Sequence, residues 1–188
     1  RLYPASVTKI MTMLLVSEAV NEKKITLADS VVCSENAASK GGSQIWLEPG
    51  ESMTVDELLR ATAIGSANDA ATLLGEYVAG SETGFIDMMN NRAKELGMKN
   101  THFENATGLD DTTDTHLTTA RDIGIMSCEL LKYDFIRDYT TVWMDSLRDG
   151  KTELVNTNKL VRFYSGTTGL KTGTTSKAGC CVSARSEE

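Results

Sequence analysis

The chain has 188 residues, of which 40% are hydrophobic and 24% are charged, and these fractions are ordinary for one globular domain. Nineteen basic residues against twenty-six acidic ones leave a formal net charge of −7 without any basic run, so a nucleic-acid partner is not expected. No window of about 18 uninterrupted apolar residues exists, so nothing in this sequence is expected to span a membrane.

The cysteines and histidines indicate neither a metal site nor a disulfide framework. The four cysteines form no C-x-x-C pair and the chain has only two histidines, so we expect no metal and no cofactor. We interpret the cysteines as small buried hydrophobic residues. The four are Cys33, Cys128, Cys180 and Cys181.

The first helix begins with a serine and a lysine three residues apart. Ser6 and Lys9 precede the apolar run of residues 10–16, which predicts a buried helix that ends near Val20 and carries both side chains on one face. A lysine amine that is buried or lies beside another cation has a lowered pKa and can accept a proton from a serine hydroxyl. An ordinary helix start, with the serine near the cap and the lysine reaching water, fits the same pattern, so the motif alone does not decide the function.

Further along the chain, helices dominate the middle and extended segments the end. Thr54 and Glu57 have the spacing of a capping box, and Gly97 follows a helix as a C-terminal glycine. Periodicity and turn residues predict short strands at 31–33 and 44–47, helices at about 54–64, 70–78, 82–96 and 118–131, a hairpin over 139–155 with an Asp-Gly turn, and strands at 169–175 and 179–184. This order predicts an α+β fold with antiparallel sheet near the chain ends.

Two later motifs change the interpretation of the first. Ser66-Ala67-Asn68 lies in a loop between two predicted helices, where its side chains can point into a cleft, and Lys171-Thr172-Gly173 lies on a predicted strand. Each is weak alone, because serine and asparagine are common in loops and a Lys-Thr pair is common on a sheet edge. In the order S-x-x-K, S-x-N, K-T-G they form the motif set of penicillin-recognising serine acyltransferases.

From Pro4 to Ala184 the chain resembles the D-alanyl-D-alanine carboxypeptidases among the low-molecular-mass penicillin-binding proteins. Besides the three motifs, the similar segments are residues 47–55, 102–109, 116–122, 156–160 and 169–179. The resemblance implies a β-lactamase/penicillin-binding transpeptidase-like fold, with residues 1–188 as a single, truncated catalytic domain. The family has strands before the nucleophile helix and further strands and a helix after K-T-G, so we expect strands to be missing at both termini and the 188 residues alone to fold poorly.

The resemblance also implies a role for each motif residue. Ser6 would be the nucleophile, Lys9 its general base, and Ser66 a relay that carries a proton toward the leaving amine. The implied substrate-binding residues are Asn68, Lys171, Thr172, Gly173 and Thr174. The backbone N–H groups of Ser6 and Thr174 would form the oxyanion hole. Ala67 stands where the family has glycine in S-G-N, a change that we expect to be tolerated.

The family's reaction implies a substrate, inhibitors and a location. The substrate would be a peptidoglycan pentapeptide stem that ends in D-Ala-D-Ala, with terminal D-alanine as the leaving group, and β-lactam antibiotics would acylate the same serine. Peptidoglycan lies outside the cytoplasmic membrane, so the parent chain would be extracytoplasmic. The family's C-terminal membrane anchor is not in this sequence, so any membrane contact would come from segments outside it.

Two alternatives stay open. A class A β-lactamase shares the three motifs, but it adds a glutamate in E-x-x-L-N, and no such string occurs between Asn68 and Lys171. A catalytically silent sensor domain that is acylated and signals would keep the motifs as well.

We interpret the two histidines as structural and Trp46 and Trp143 as core or cleft-wall residues.

Overall fold

The central element is an apolar helix, α1 (Lys9–Asn21), and ten of its thirteen residues are buried. A helix that is apolar all round has no face to expose to water, so it has to be surrounded by other elements. It contacts α3 (Val55–Ala63), α4 (Asn68–Ala79), α5 (Glu82–Glu95) and α6 (Ala120–Leu130). The predicted buried first helix is confirmed, with its end one residue beyond the predicted position.

The structure, a computed structural model, describes residues 1–187. The remaining helices are α2 (Glu35–Ala38), α7 (Arg137–Thr140) and α8 (Leu160–Phe163), with 3₁₀ turns at Ala5–Thr8 and Asp134–Ile136. The strands are β1 (Ser30–Val32), β2 (Ser52–Thr54), β3 (Met144–Leu147), β4 (Thr152–Val155), β5 (Thr167–Thr175) and β6 (Gly179–Ser186). No helix among residues 1–187 is both long enough and apolar enough to cross a membrane.

Within the described residues the strands form three antiparallel pairs, β1–β2, β3–β4 and β5–β6. The longest pair, β5–β6, places Thr172 opposite Val182 and Thr174 opposite Cys180. Both strands pack against the 3₁₀ turn that precedes α1, so this pair of strands lies against the start of the central helix. The predicted α+β architecture is confirmed, and within residues 1–187 each sheet has two strands.

The predicted strand at residues 44–47 is wrong. The segment that pairs with β1 is β2, eight residues further along. The reason is a buried carboxylate: Asp69 accepts hydrogen bonds from the backbone N–H groups of Ile45 and Leu47, each with an N–O distance of 3.1 Å. These donors are satisfied by a side chain, so the segment needs no partner strand.

The predicted hairpin is confirmed, but its first arm is shorter than expected. Residues 139–140 belong to α7 rather than to the strand, because Tyr139 is buried and its hydroxyl donates to Asp56 Oδ1 at 2.6 Å. The turn between β3 and β4 has positive φ at Arg148, Asp149 and Gly150. The Asp-Gly signal therefore marked the turn correctly.

Two predictions about burial need correction. Cys33 is buried as expected, whereas Cys128 and Cys180 are exposed and Cys181 is partly exposed. Period-two alternation on β6 sends Cys180 to the outer face and Cys181 inward. Trp46 is 73% exposed, because its neighbours Ile45 and Leu47 take the inward positions of the loop.

Candidate active site

The serine of the first motif lies on a backbone turn that is clamped between two glycines. Ser6 belongs to the 3₁₀ turn Ala5–Thr8, in which Ala5 has a φ of +49°. A Cβ on Gly108 would lie 1.7 Å from the Ala5 carbonyl oxygen, and a Cβ on Gly173 would lie 2.6 Å from the Ser6 backbone nitrogen. Only glycine permits these approaches, so they fix the turn between the 104–108 segment and β5.

The lysine of the first motif has three hydrogen-bond partners around its amine. Lys9 is fully buried, and its Nζ lies 3.0 Å from Ser6 Oγ, 2.6 Å from Asn68 Oδ1 and 2.9 Å from the Thr107 carbonyl oxygen. A neutral amine has two N–H donors and one lone pair, and the two carbonyl oxygens can only accept. In the neutral state both donors therefore go to Asn68 and Thr107, and the lone pair is directed at the Ser6 hydroxyl.

The electrostatic surroundings favour that neutral amine. Burial lowers the pKa of Lys9 well below its ordinary value, and the nearby charge of Lys171 lowers it further, whereas Asp69 acts in the opposite direction. Burial also lowers the pKa of Lys171, to about 7. The site thus contains two buried amines, and burial favours the neutral form of each.

The S-x-N motif joins α3 to α4. Ser66 is buried with a φ of +60° and lines the cleft that contains Ser6, and Asn68 is the first residue of α4. Asn68 Nδ2 donates to the Gly41 carbonyl oxygen at 2.7 Å, and its backbone N–H donates to the Ser43 carbonyl oxygen at 2.7 Å. The asparagine therefore holds Lys9 on one side and the 41–43 loop on the other.

The K-T-G motif occupies the middle of β5. Lys171 is buried and donates from Nζ to the Thr172 carbonyl oxygen at 3.1 Å. The Thr172 hydroxyl donates to Thr157 Oγ1 at 2.7 Å, and Thr174 is exposed. Alternation along the strand thus puts the lysine inside and presents two threonine hydroxyls on the other face.

The three motifs meet at one cleft of about 590 Å³, large enough for a small peptide or drug-sized ligand. The predicted residues that line it are Ser6, Ser66, Thr172, Gly173 and Thr174, and Lys9, Asn68 and Lys171 lie behind them. Lining residues that the motifs did not indicate are Ser43, Thr157, Lys159, Cys180, Cys181 and Val182.

The missed residues differ in the signals that they carry. Thr157 and Lys159 fall in the 156–160 segment that supported the resemblance, so closer attention to that segment would have found them. Thr107 contributes a backbone carbonyl, which any residue type could supply, so its identity carries no signal. Ser43 lies in the 41–43 loop, and a hydrogen bond from the Asn68 backbone N–H to its carbonyl oxygen places it at the cleft. No group of three or more His, Cys, Asp or Glu side chains in residues 1–187 is arranged to bind a metal ion.

Comparison with known proteins gives a consistent result. The family profile described as D-alanyl-D-alanine carboxypeptidase matches residues 1–188. The D-alanyl-D-alanine carboxypeptidase DacF of Bacillus subtilis is 52% identical over 191 residues, which cover 100% of this chain and 49% of that protein. The chain spans about half the length of the curated relatives that it matches first.

Solved structures agree. The peptidoglycan synthesis regulatory factor PBP3 of Streptococcus pneumoniae superposes with a TM-score of 0.89 at 32% identity, covering 100% of this chain and 57% of that one. Penicillin-binding protein D2 of Listeria monocytogenes, in its ampicillin-bound form, superposes with a TM-score of 0.87 at 30% identity, covering 100% and 76%.

Proposed function

This chain belongs to the D-alanyl-D-alanine carboxypeptidase family, and from that premise we propose that it removes the terminal D-alanine of peptidoglycan stem peptides through an acyl-enzyme on Ser6. The observation that carries the proposal is the arrangement around the Lys9 amine. Its two carbonyl partners leave the lone pair to the Ser6 hydroxyl at 3.0 Å. A serine next to a buried, deprotonated base is the arrangement that nucleophilic acyl transfer requires.

In the first half-reaction Ser6 Oγ attacks the carbonyl carbon between the two terminal D-alanines while its proton passes to Lys9 Nζ. The tetrahedral intermediate then expels D-alanine, whose amine receives the proton of Lys9 Nζ through the hydroxyl of Ser66, and Lys9 becomes neutral again. In the second half-reaction a water molecule attacks the ester and transfers its proton to the same base. The second tetrahedral intermediate breaks its bond to Ser6 Oγ, Lys9 Nζ returns the proton to that oxygen, and the shortened peptide leaves with a new carboxylate.

The substrate contacts follow from the two faces of the cleft. The backbone N–H groups of Ser6 and Thr174 would bind the developing oxyanion, and preorganised donors of this kind typically supply a factor of about a hundred or more. Lys171, with the hydroxyls of Thr172 and Thr174, would bind the terminal carboxylate of the peptide. Gly173 keeps the strand close enough for both tasks.

Asn68 would also bind the substrate, through the second N–H group of its side-chain amide. Its Oδ1 accepts from Lys9, and one of the two Nδ2 protons goes to the Gly41 carbonyl oxygen. The amide group has a second Nδ2 proton. We assign that proton to the backbone carbonyl of the bound peptide, which would then lie between the 41–43 loop and β5.

We propose residues 1–188 as the principal part of one catalytic domain, with the peptidoglycan pentapeptide stem as its partner and β-lactams as acylating inhibitors. The ampicillin-bound and cefotaxime-bound forms of the Listeria protein support the second assignment. Because peptidoglycan lies outside the cytoplasmic membrane, the site of action would be extracytoplasmic, in cell-wall synthesis and the control of cell shape.

The test uses the full parent chain and combines intact-mass spectrometry after incubation with benzylpenicillin with D-alanine release from a peptide ending in D-Ala-D-Ala. We expect one stable penicillin adduct on the wild type and none on Ser6→Ala. Ser17→Ala is the matched control, because Ser17 is buried on the same helix and binds only its own helix backbone, at Met13. Rapid penicillin turnover without an adduct would indicate a β-lactamase instead. An adduct without D-alanine release would indicate the silent sensor domain.

A further inference from the structure

The buried histidine behind the site makes hydrogen bonds from both ring nitrogens. His116 is fully buried, and its Nδ1 lies 3.0 Å from the Glu104 backbone nitrogen. A backbone N–H can only donate, so Nδ1 accepts and the proton of the neutral ring is on Nε2. Nε2 lies 2.8 Å from Thr8 Oγ1 and therefore donates to it. The ring of Phe103 packs edge-on against the imidazole, with 5.7 Å between the ring centroids.

These two bonds join the segments that meet at the Lys9 amine. We call residues 104–108 the carbonyl loop, because this segment supplies the Thr107 carbonyl oxygen to Lys9 Nζ. Asn105 Oδ1 braces the loop from within by accepting from the backbone N–H groups of Thr107 and Gly108. The imidazole connects the start of this loop to Thr8, the residue immediately before the lysine.

We propose that His116 is a positioning residue for acyl transfer to Ser6, an inference that rests on the proposed function. It holds the carbonyl loop against Thr8, and this contact keeps the Thr107 oxygen on the Lys9 amine. Without it the loop could shift, the amine would lose one of its two acceptors, and the lone pair would no longer be fixed toward the serine hydroxyl.

An imidazole suits this task better than other side chains. It presents an acceptor and a donor on opposite edges of a rigid ring, whereas the acceptor and the donor of asparagine or glutamine are both attached to one amide carbon. Burial lowers the pKa of His116 to about 4, with Glu104 and Asp110 opposing that change and His102 adding to it. The ring is therefore neutral at neutral pH, and Nδ1 stays an acceptor.

The experiment measures the second-order rate of acylation by benzylpenicillin, corrected for the folded fraction of each variant. We expect His116→Ala and Thr8→Val each to be slower than wild type by about tenfold or more, because misplacement of a reacting group costs this much or more. The double variant should be no slower than the slower single one, since both changes break the same link. Thr62→Val is the matched control, because Thr62 is equally buried but donates only to Leu58 of its own helix. It should react at the wild-type rate.

A second measurement does not depend on acylation. NMR titration of the Lys9 Cε signal should show a lower pKa in His116→Ala than in wild type, because a retreating carbonyl stabilises the ammonium less. If His116→Ala does not fold, His116→Gln and Thr8→Val take its place. A shifted titration in a protein that benzylpenicillin never acylates would support the positioning of the Lys9 amine by His116 and would refute the proposed function. Unchanged rates and an unchanged titration, with only a lower melting temperature, would overturn the positioning role.

Discussion

Replacing Gly173 by alanine tests how far the site depends on close backbone contact between β5 and the serine turn. The added Cβ would lie 2.6 Å from the Ser6 nitrogen and 3.0 Å from both Ala5 Cβ and the Val7 nitrogen. The first distance is about 0.8 Å short of the 3.4 Å at which ordinary van der Waals contact begins. All three neighbours are backbone or Cβ atoms, so no side-chain rotation can relieve the overlap.

Two effects follow from moving these backbones apart. Overpacking of this kind typically lowers the free energy of unfolding by about 1–3 kcal/mol. The Ser6 N–H would also be displaced from the oxyanion position by a good part of an ångström, and we expect acylation by benzylpenicillin to slow about a hundredfold. Urea unfolding measures the first effect, and the second-order acylation rate measures the second.

The matched control is Gly124→Ala in α6. Beyond its chain neighbours and the nearby backbone of its own helix, nothing lies within 4 Å of the position that its Cβ would take, and alanine is favoured over glycine inside a helix by about 1 kcal/mol. This variant should be slightly more stable and should react at the wild-type rate. Wild-type stability and a wild-type rate in Gly173→Ala would refute the contact that the structure describes between β5 and the turn.

Two further predictions concern stability. The pKa of Lys171 is about 7 in the folded protein, whereas a lysine in an unfolded chain has a pKa near 10.4. Between these two pH values the unfolded chain therefore binds more protons than the folded one. The free energy of unfolding consequently rises with pH from about pH 7. In urea unfolding, the rise between about pH 7 and pH 9.5 should be smaller in Lys171→Met than in wild type, and equal slopes would contradict the lowered pKa. In the capping box of α3, Thr54 Oγ1 accepts a hydrogen bond from the Glu57 backbone nitrogen at 3.2 Å. Thr54→Ala removes this bond and should lower the free energy of unfolding by about 1 kcal/mol. Ser52→Ala is the control, because Ser52 is exposed, and it should change the free energy of unfolding by less than about 0.5 kcal/mol. An equal loss of stability in both variants would contradict the role of Thr54 as a cap.

Elements with local signals were predicted well from the sequence. The capping box at Thr54 and Glu57 forms as expected, and Gly97 ends its helix with a φ of +74°. The apolar run after Lys9 became the buried central helix, and the Asp-Gly turn became a hairpin. In each case the decisive interaction lies within a few residues of the signal, so the sequence contains all of it.

Features that depend on distant partners could not be predicted in this way. Polar and apolar residues alternate in the 44–47 segment as in a strand, but its backbone N–H groups donate to Asp69. That carboxylate lies 22 residues further along the chain, so the local sequence does not indicate it. The Thr107 carbonyl is the clearest case, because it orients Lys9 from 98 residues further along the chain with an atom that every residue has. His116 was interpreted as a structural loop residue, and its link to Thr8 emerges only when both segments fold onto α1.

Several features that work against stability lie around Ser6. Ala5 and Ser66 are non-glycine residues with positive φ, and such residues each cost of the order of 1–3 kcal/mol when the conformation is unfavourable. Lys9 and Lys171 add two buried amines whose pKa values are lowered mainly by the loss of water. A fold selected for stability alone would replace such residues. A site that must keep an amine neutral and a backbone N–H free requires such residues around its serine hydroxyl. The packed helix α1 holds them in place.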